Sequence, residues 1–148
     1  MFSPGNAAAN AYAKVGLQTG VMGASPHRLI VMLYQGARQA IALGRMHLQN
    51  GRVAERGAAI SKAIMIIENG LQQALNLEAG GDIAARLDGL YSYMTRRLLE
   101  ASIQQSEAMM LEVDGLLATL EEAWVGIAPE VARMAAQQAA QQTAETAK

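Results

Sequence analysis

Two histidines, thirteen carboxylates and no cysteine are the raw material for chemistry in this chain of 148 residues. A di-metal centre in a helical bundle needs a glutamate three residues before each ligating histidine. Ala24 and Gly44 stand there, before His27 and His47. His27 falls in a first helical turn, where exposure is expected, and His47 on or beside an apolar seam. No serine lies in a Gly-x-Ser-x-Gly elbow, and the Gly80-Gly81 pair lacks the GxxxxGK[ST] pattern of a phosphate cradle. The absence of cysteine removes thiolate ligands and disulfides, which fits a reducing cytoplasm. No catalytic residue, metal or cofactor is therefore expected. An enzyme on this scaffold would need arginines, glutamates or metal ligands converging inside it.

Arg38, Arg45, Arg52 and Arg56 could form a basic ribbon, but no aromatics are interleaved to stack on bases, so nucleic acid is not an expected partner. Net charge is −1. The distribution is uneven: residues 1–62 carry seven Lys or Arg against one acid, and residues 63–148 carry five against twelve. Two readings follow, a bipolar surface that steers a partner, or pairing between the first and last helices within the molecule.

The elements follow from periodicity. Ser25 and Pro26 form a helix start, since a serine can cap the first turn and proline gives up a donor that had no partner there. Ile30, Leu33, Ala37, Ala40 and Gly44 recur at steps of three and four, flanked by Leu29, Met32, Leu43 and Met46, up to an Asn50-Gly51 turn. About 24 residues make a helix roughly 36 Å long. Val53, Gly57, Ile60, Ile64, Ile67, Leu71 and Ala74 form a seam on a second helix, with Ala59, Ala63, Ile66 and Gly70 beside it. Gly80-Gly81 is read as its stop and Asp82 as the cap of a third helix carrying Ala84, Leu87, Tyr91, Met94, Leu98 and Ala101. Ser106 starts a fourth, with Met110, Val113, Leu117, Leu120, Trp124 and Ile127 in rhythm until Pro129. No β-alternation occurs. The expected fold is all-α, an antiparallel up-down four-helix bundle over residues 25–128. Residues 1–24, broken by glycines, read as a flexible arm in which residues 7–15 could form a short helix. Residues 129–148 read as a frayed or disordered tail. The start lacks the pattern of a secretory signal and no window qualifies as a membrane span, so a cytoplasmic protein without stable membrane insertion is expected.

The first two helices carry apolar residues over more of their circumference than a four-helix core consumes. The material is Met, Ile, Ala and Gly, with nine methionines and one phenylalanine in the chain. Small residues let a visiting helix approach closely and methionines adapt to its shape. A groove for a partner helix follows, or a homodimeric structural or regulatory bundle that buries the same surplus on itself.

The run NAYAKVGLQTGVMGASPHRLIVMLYQGA, the later ISKAIMIIENGLQQALN, the diglycine, LYSYMTRRLLEA and EVDGLLATLEEAW occur in one order and spacing. From about residue 10 to 127 they resemble the FliS family of flagellar export chaperones. The resemblance implies a cytoplasmic bundle that binds the C-terminal region of flagellin, prevents its premature polymerisation and delivers it to the export gate of the flagellar type III apparatus. In that family the client segment, disordered when free, forms short helices in apolar grooves. Ordering it costs several kcal/mol, so the contact must be extended. Neither nucleotide nor cofactor is implied, and the chain is expected to be a monomer or weak dimer. The positions expected to line the client groove are Ile60, Ile64, Ile66, Ile67 and Leu71 of the second helix and Tyr91, Met94 and Leu98 of the third. In the arm, Tyr12, Val15 and Met22 are expected to dock at the export gate or cover the groove.

Overall fold

A computed structural model describes residues 25–127 of the chain. The expected arm and tail, including Tyr12, Val15 and Met22, lie outside the described residues. Four helices run up and down: α1 (Pro26–Gln49), α2 (Val53–Met65), α3 (Leu77–Gln104) and α4 (Glu107–Gly126). A π-helical segment, Ile66–Gln72, extends α2. No strand occurs among the described residues. α1 packs against α2 and α4, and α3 closes the ring by packing against α4 and against α2 with its extension.

The caps explain the boundaries. Ser25 Oγ accepts from the Arg28 amide at 3.1 Å, with Pro26 at the first helical position. Ser106 Oγ accepts from the Met109 amide at 3.2 Å. Between α3 and α4 the chain reverses at Gln105, whose φ of 54° is left-handed without being a glycine. After α1 the left-handed residue is Gly51, at φ 69°, while Asn50 stays at φ −97° and its side-chain amide donates to the Met46 carbonyl at 2.9 Å.

Two boundaries differ from the sequence reading. Asn76, rather than Asp82, caps α3: its Oδ1 accepts from the Ala79 amide at 3.0 Å, so the helix begins at Leu77. The Gly80-Gly81 pair then falls inside α3, where Gly81, at φ 55° and ψ −135°, breaks the helical path and produces a kink. The second helix ends earlier than expected, at Gln72, and does so in the wider π turn.

The core runs along the axis: Leu33, Tyr34, Ala37 and Ile41 from α1, Ile60, Ala63, Ile66, Ile67 and Leu71 from α2 and its extension, Tyr91, Met94, Leu98 and Ala101 from α3, and Met110, Val113 and Leu117 from α4. The small flank of the second helix is consumed here. A Cβ on Gly44 would stand 2.8 Å from Ile60 Cδ1 and one on Gly70 2.9 Å from Leu33 Cδ2, so α1 and α2 approach closely through those glycines. Ala63, Ile66 and Gly70 are buried as a result. The surplus of apolar surface inferred for that flank is therefore internal packing. Val53, the first residue of the expected seam, is instead 63% exposed.

Charge pairs tie α1 to α4. Arg38 Nε donates to Asp114 at 3.0 Å and Arg38 Nη1 to Glu121 at 3.0 Å, while Arg45 Nη2 reaches Glu107 at 2.9 Å. Gln35 also donates to Glu121, at 3.2 Å. Two members of the basic ribbon are thus paired within the molecule, which accounts for part of the charge asymmetry.

Candidate functional site: an apolar groove

The candidate site opens where the N-terminal end of α1 meets the kinked start of α3. Its volume is about 530 Å³. Pro26, His27 and Ile30 supply one wall, Leu71, Ala74 and Leu75 another, and Ala79, Gly80, Ile83, Ala84, Leu87 and Tyr91 a third, with Trp124 from α4 at one end. Almost all of this lining is carbon. Such a concavity suits an apolar helix face far better than a polar metabolite.

Local structure produces the opening. The chain leaves the second helix through the π segment, a rare form that occurs mostly as single-turn bulges and frequently at functional sites. Gln72, its last residue, donates to Asp88 Oδ1 and to Ser92 Oγ, each at 2.9 Å, and so pins the segment to α3. Leu71, Ala74 and Leu75 follow along the groove wall. On the other side the kink at Gly81 separates the first turn of α3 from the part that carries Ile83, Leu87 and Tyr91. Ile83 is 73% exposed, a large aliphatic side chain on the groove with nothing covering it among the described residues.

His27 is not the exposed residue that its position suggested. Its ring packs against Trp124, centroids 5.5 Å apart, and its Nε2 bonds the Trp124 backbone carbonyl. That carbonyl belongs to the last turn of α4, where helix carbonyls lack intrahelical donors. The imidazole serves as a cap between two helices. His47 is partly buried near the other end of α1, its Nδ1 without a partner among the described residues.

Below the groove two buried phenols meet. Tyr34 and Tyr91 hydroxyls stand 2.6 Å apart, and burial pushes both groups above the ordinary tyrosine value. They stay neutral and act as hydrogen-bonding groups. No cluster of three or more His, Cys, Asp or Glu able to hold a metal occurs among the described residues. No described helix is long and apolar enough to cross a membrane.

Of the eight positions expected at a client groove, Leu71 and Tyr91 line this one. Ile64 is partly buried against the core, and Ile60, Ile66, Ile67, Met94 and Leu98 lie within it. Ile30, Leu75, Ile83, Leu87 and Trp124 also line the groove and are not among the positions expected there. Their apolar character was visible, but Ile30, Leu87 and Trp124 read as seam residues, and Leu75 and Ile83 fell beside a boundary placed wrongly.

The comparisons agree with this architecture. Residues 8–131 match the family model described as flagellar protein FliS. A flagellar secretion chaperone FliS from Salmonella typhimurium is 48% identical over 120 residues, covering 81% of this chain and 89% of the relative. Flagellar secretion chaperone FliSB from Pseudomonas aeruginosa is 40% identical, covering 78% of this chain and 91% of its own. The FliS of Bacillus subtilis is 32% identical over 72% of this chain and 78% of its own. With residues 8–131 matched by the family model and relatives up to 48% identical over most of the chain, the groove-bearing helical chain described here belongs to the FliS family of flagellar secretion chaperones.

Proposed function

We propose that this chain is a cytoplasmic export chaperone that holds the C-terminal region of flagellin, prevents its polymerisation and hands it to the flagellar type III export gate. The observation that carries the client assignment is the open apolar groove between α1 and α3, in a chain of this family. The client's apolar helix face would lie on Ile83, Leu75, Leu87 and Ile30, with Leu71 and Tyr91 beneath. Ile64 contributes where the wrapped client passes the α2 side. Burial of side chains of this size is worth about 1.5–3 kcal/mol each, enough to offset part of the ordering cost of a disordered segment. Work of this kind needs no bond-making chemistry, and the groove's carbon lining offers none. In the arm, Tyr12, Val15 and Met22 act in gate docking or in covering the groove before the client arrives.

Ile83→Asp tests the reading without disturbing the core, because that side chain is already exposed. A carboxylate there must be desolvated when a client helix docks. Retention of a peptide of about 50 residues from the C-terminus of the same cell's flagellin should fall by more than tenfold, with an unchanged circular dichroism spectrum. Binding equal to the unsubstituted chain would show that the client lies elsewhere.

A further inference from the structure

Arg38 and Arg45 are paired with α4, but the other two arginines of the basic ribbon are not. Among the described residues neither Arg52 nor Arg56 enters an ion pair. Arg52 is exposed. Arg56 is only 7% exposed, and its Nε is closed off from solvent with no hydrogen-bond partner among the described residues. A second orphan stands opposite. Gly44 faces Ala59 and Ile60 across the seam between α1 and α2. In an antiparallel pair, one turn onward along α1 and one turn back along α2 bring His47 and Arg56 into the next layer. The Nδ1 of His47 is likewise buried and unpartnered among the described residues. Guanidinium nitrogens only donate, and an imidazole can carry its proton on Nδ1. Two buried donors without an acceptor, one of them on a permanent cation, call for an anion. The described acids at this end of the bundle do not supply it. Glu107 is held by Arg45 and Gln49, and Glu55 forms no ion pair with either arginine.

We infer that the His47–Arg56 layer receives an aspartate or glutamate side chain of the client, as a second anchor at the end of the bundle away from the apolar groove. This rests on the client reading of that groove. Leu43, one turn before His47, and Met46, beside it, are both exposed. Apolar neighbours of that kind suit a carboxylate carried on a peptide better than a free anion such as phosphate. Arg52, exposed at the start of α2, adds positive charge to the approach. Because Arg56 is already desolvated in the free chain, a docking carboxylate meets a donor that loses no further water. His47 lies roughly 25 Å along α1 from Ile30 of the groove, so a segment engaging both needs at least about eight extended residues between its anchors. Apolar burial is non-directional and would let the client slide. A charged anchor at a fixed distance from the groove sets its register.

The test is titration of the full chain with two peptides: the flagellin C-terminal peptide, and the same peptide with every Asp and Glu replaced by Asn and Gln. Arg56→Gln should bind the acidic peptide roughly tenfold more weakly than the unsubstituted chain does, and the amide peptide equally well. A loss of the same size with both peptides would give Arg56 a purely structural role and overturn the inference. Unchanged affinity of a folded Arg56→Gln chain for the acidic peptide would overturn it as well, with the groove reading left standing. No binding of the acidic peptide by the unsubstituted chain would overturn both. If Arg56→Gln does not fold, the unsubstituted chain decides the matter. The amide peptide should bind it roughly tenfold more weakly than the acidic one, and equal affinity for the two would overturn the inference.

Discussion

Among the surface residues, Glu107 and Glu112 carry the clearest electrostatic prediction. Hydrogen bonds from Arg45 and then Gln49 hold the Glu107 carboxyl below the usual carboxylate range, and Tyr93 and then Arg97 do the same for Glu112. A carboxylate whose folded value is depressed contributes stability that is fully present above its unfolded value and is lost as pH falls through the folded one. The melting temperature should therefore decline as pH drops below about 4.5. In the double variant Glu107→Gln, Glu112→Gln the acid limb should be shallower and the neutral-pH melting temperature slightly lower, as read in thermal melts across roughly pH 3–7. An acid limb as steep as that of the unsubstituted chain would locate the acid sensitivity elsewhere. Arg38 bonds two carboxylates, Asp114 and Glu121. Because its side chain is 37% exposed, Arg38→Met should cost at most about 1 kcal/mol, less in high salt, by chemical denaturation. Legibility at this scale was uneven. Helix-start serines could be read from residue types and spacings, whereas the division between core and groove could not. Ile60 and Ile67 have the same chemistry as Ile83, and only the packing of α1 against α2 and its π extension, close at Gly44 and Gly70, decides which of them water can reach.

Helices are the scale at which sequence spoke most clearly. Serine caps at Ser25 and Ser106 mark starts because their hydroxyls meet orphan amides, and both are used. Ser106→Ala should cost about 1 kcal/mol in urea denaturation. The helix boundaries around residues 72–82 were less legible, since a glycine pair signals a stop equally well whether a helix ends or bends there. Asn76, four residues before that pair, supplies the cap that the helix uses. The π segment has no periodicity of its own to distinguish it from the α-helix before it. Close packing of α1 on α2 gives a sharper test. Gly44→Ala adds helix propensity of about 1 kcal/mol while displacing the tip of Ile60, so its net effect should lie within about 1 kcal/mol of zero. Gly44→Val adds a branched side chain that the interface has no room for, and should destabilise by about 1–3 kcal/mol. Equal stability of the two variants would mean that the helices separate freely at that point. At Gly81, where φ is 55°, any side chain is strained. Gly81→Ala should cost about 1–2 kcal/mol and weaken client binding as well, since the kink helps to open the groove.

For the whole molecule, the four-helix architecture followed from four amphipathic stretches of similar length joined by short connections, and the ring order of the helices follows from their succession. The place of the groove did not. It depends on how the π segment, the kink at Gly81 and the distant Trp124 end of α4 come together, features that produce no common periodicity. Surplus apolar surface was expected on the first and second helices; on the Ala63, Ile66 and Gly70 flank of the second, α1 covers it. Association with a disordered apolar segment has a thermodynamic signature that separates it from adventitious contact: burial of apolar surface gives a negative heat-capacity change, and folding on binding gives a large favourable enthalpy offset by ordering. The measurement that bears most directly on this is isothermal titration of the full chain with the flagellin C-terminal peptide at several temperatures. One-to-one binding with a negative heat-capacity change is the predicted result. A folded bundle that shows no heat at any temperature would contradict it.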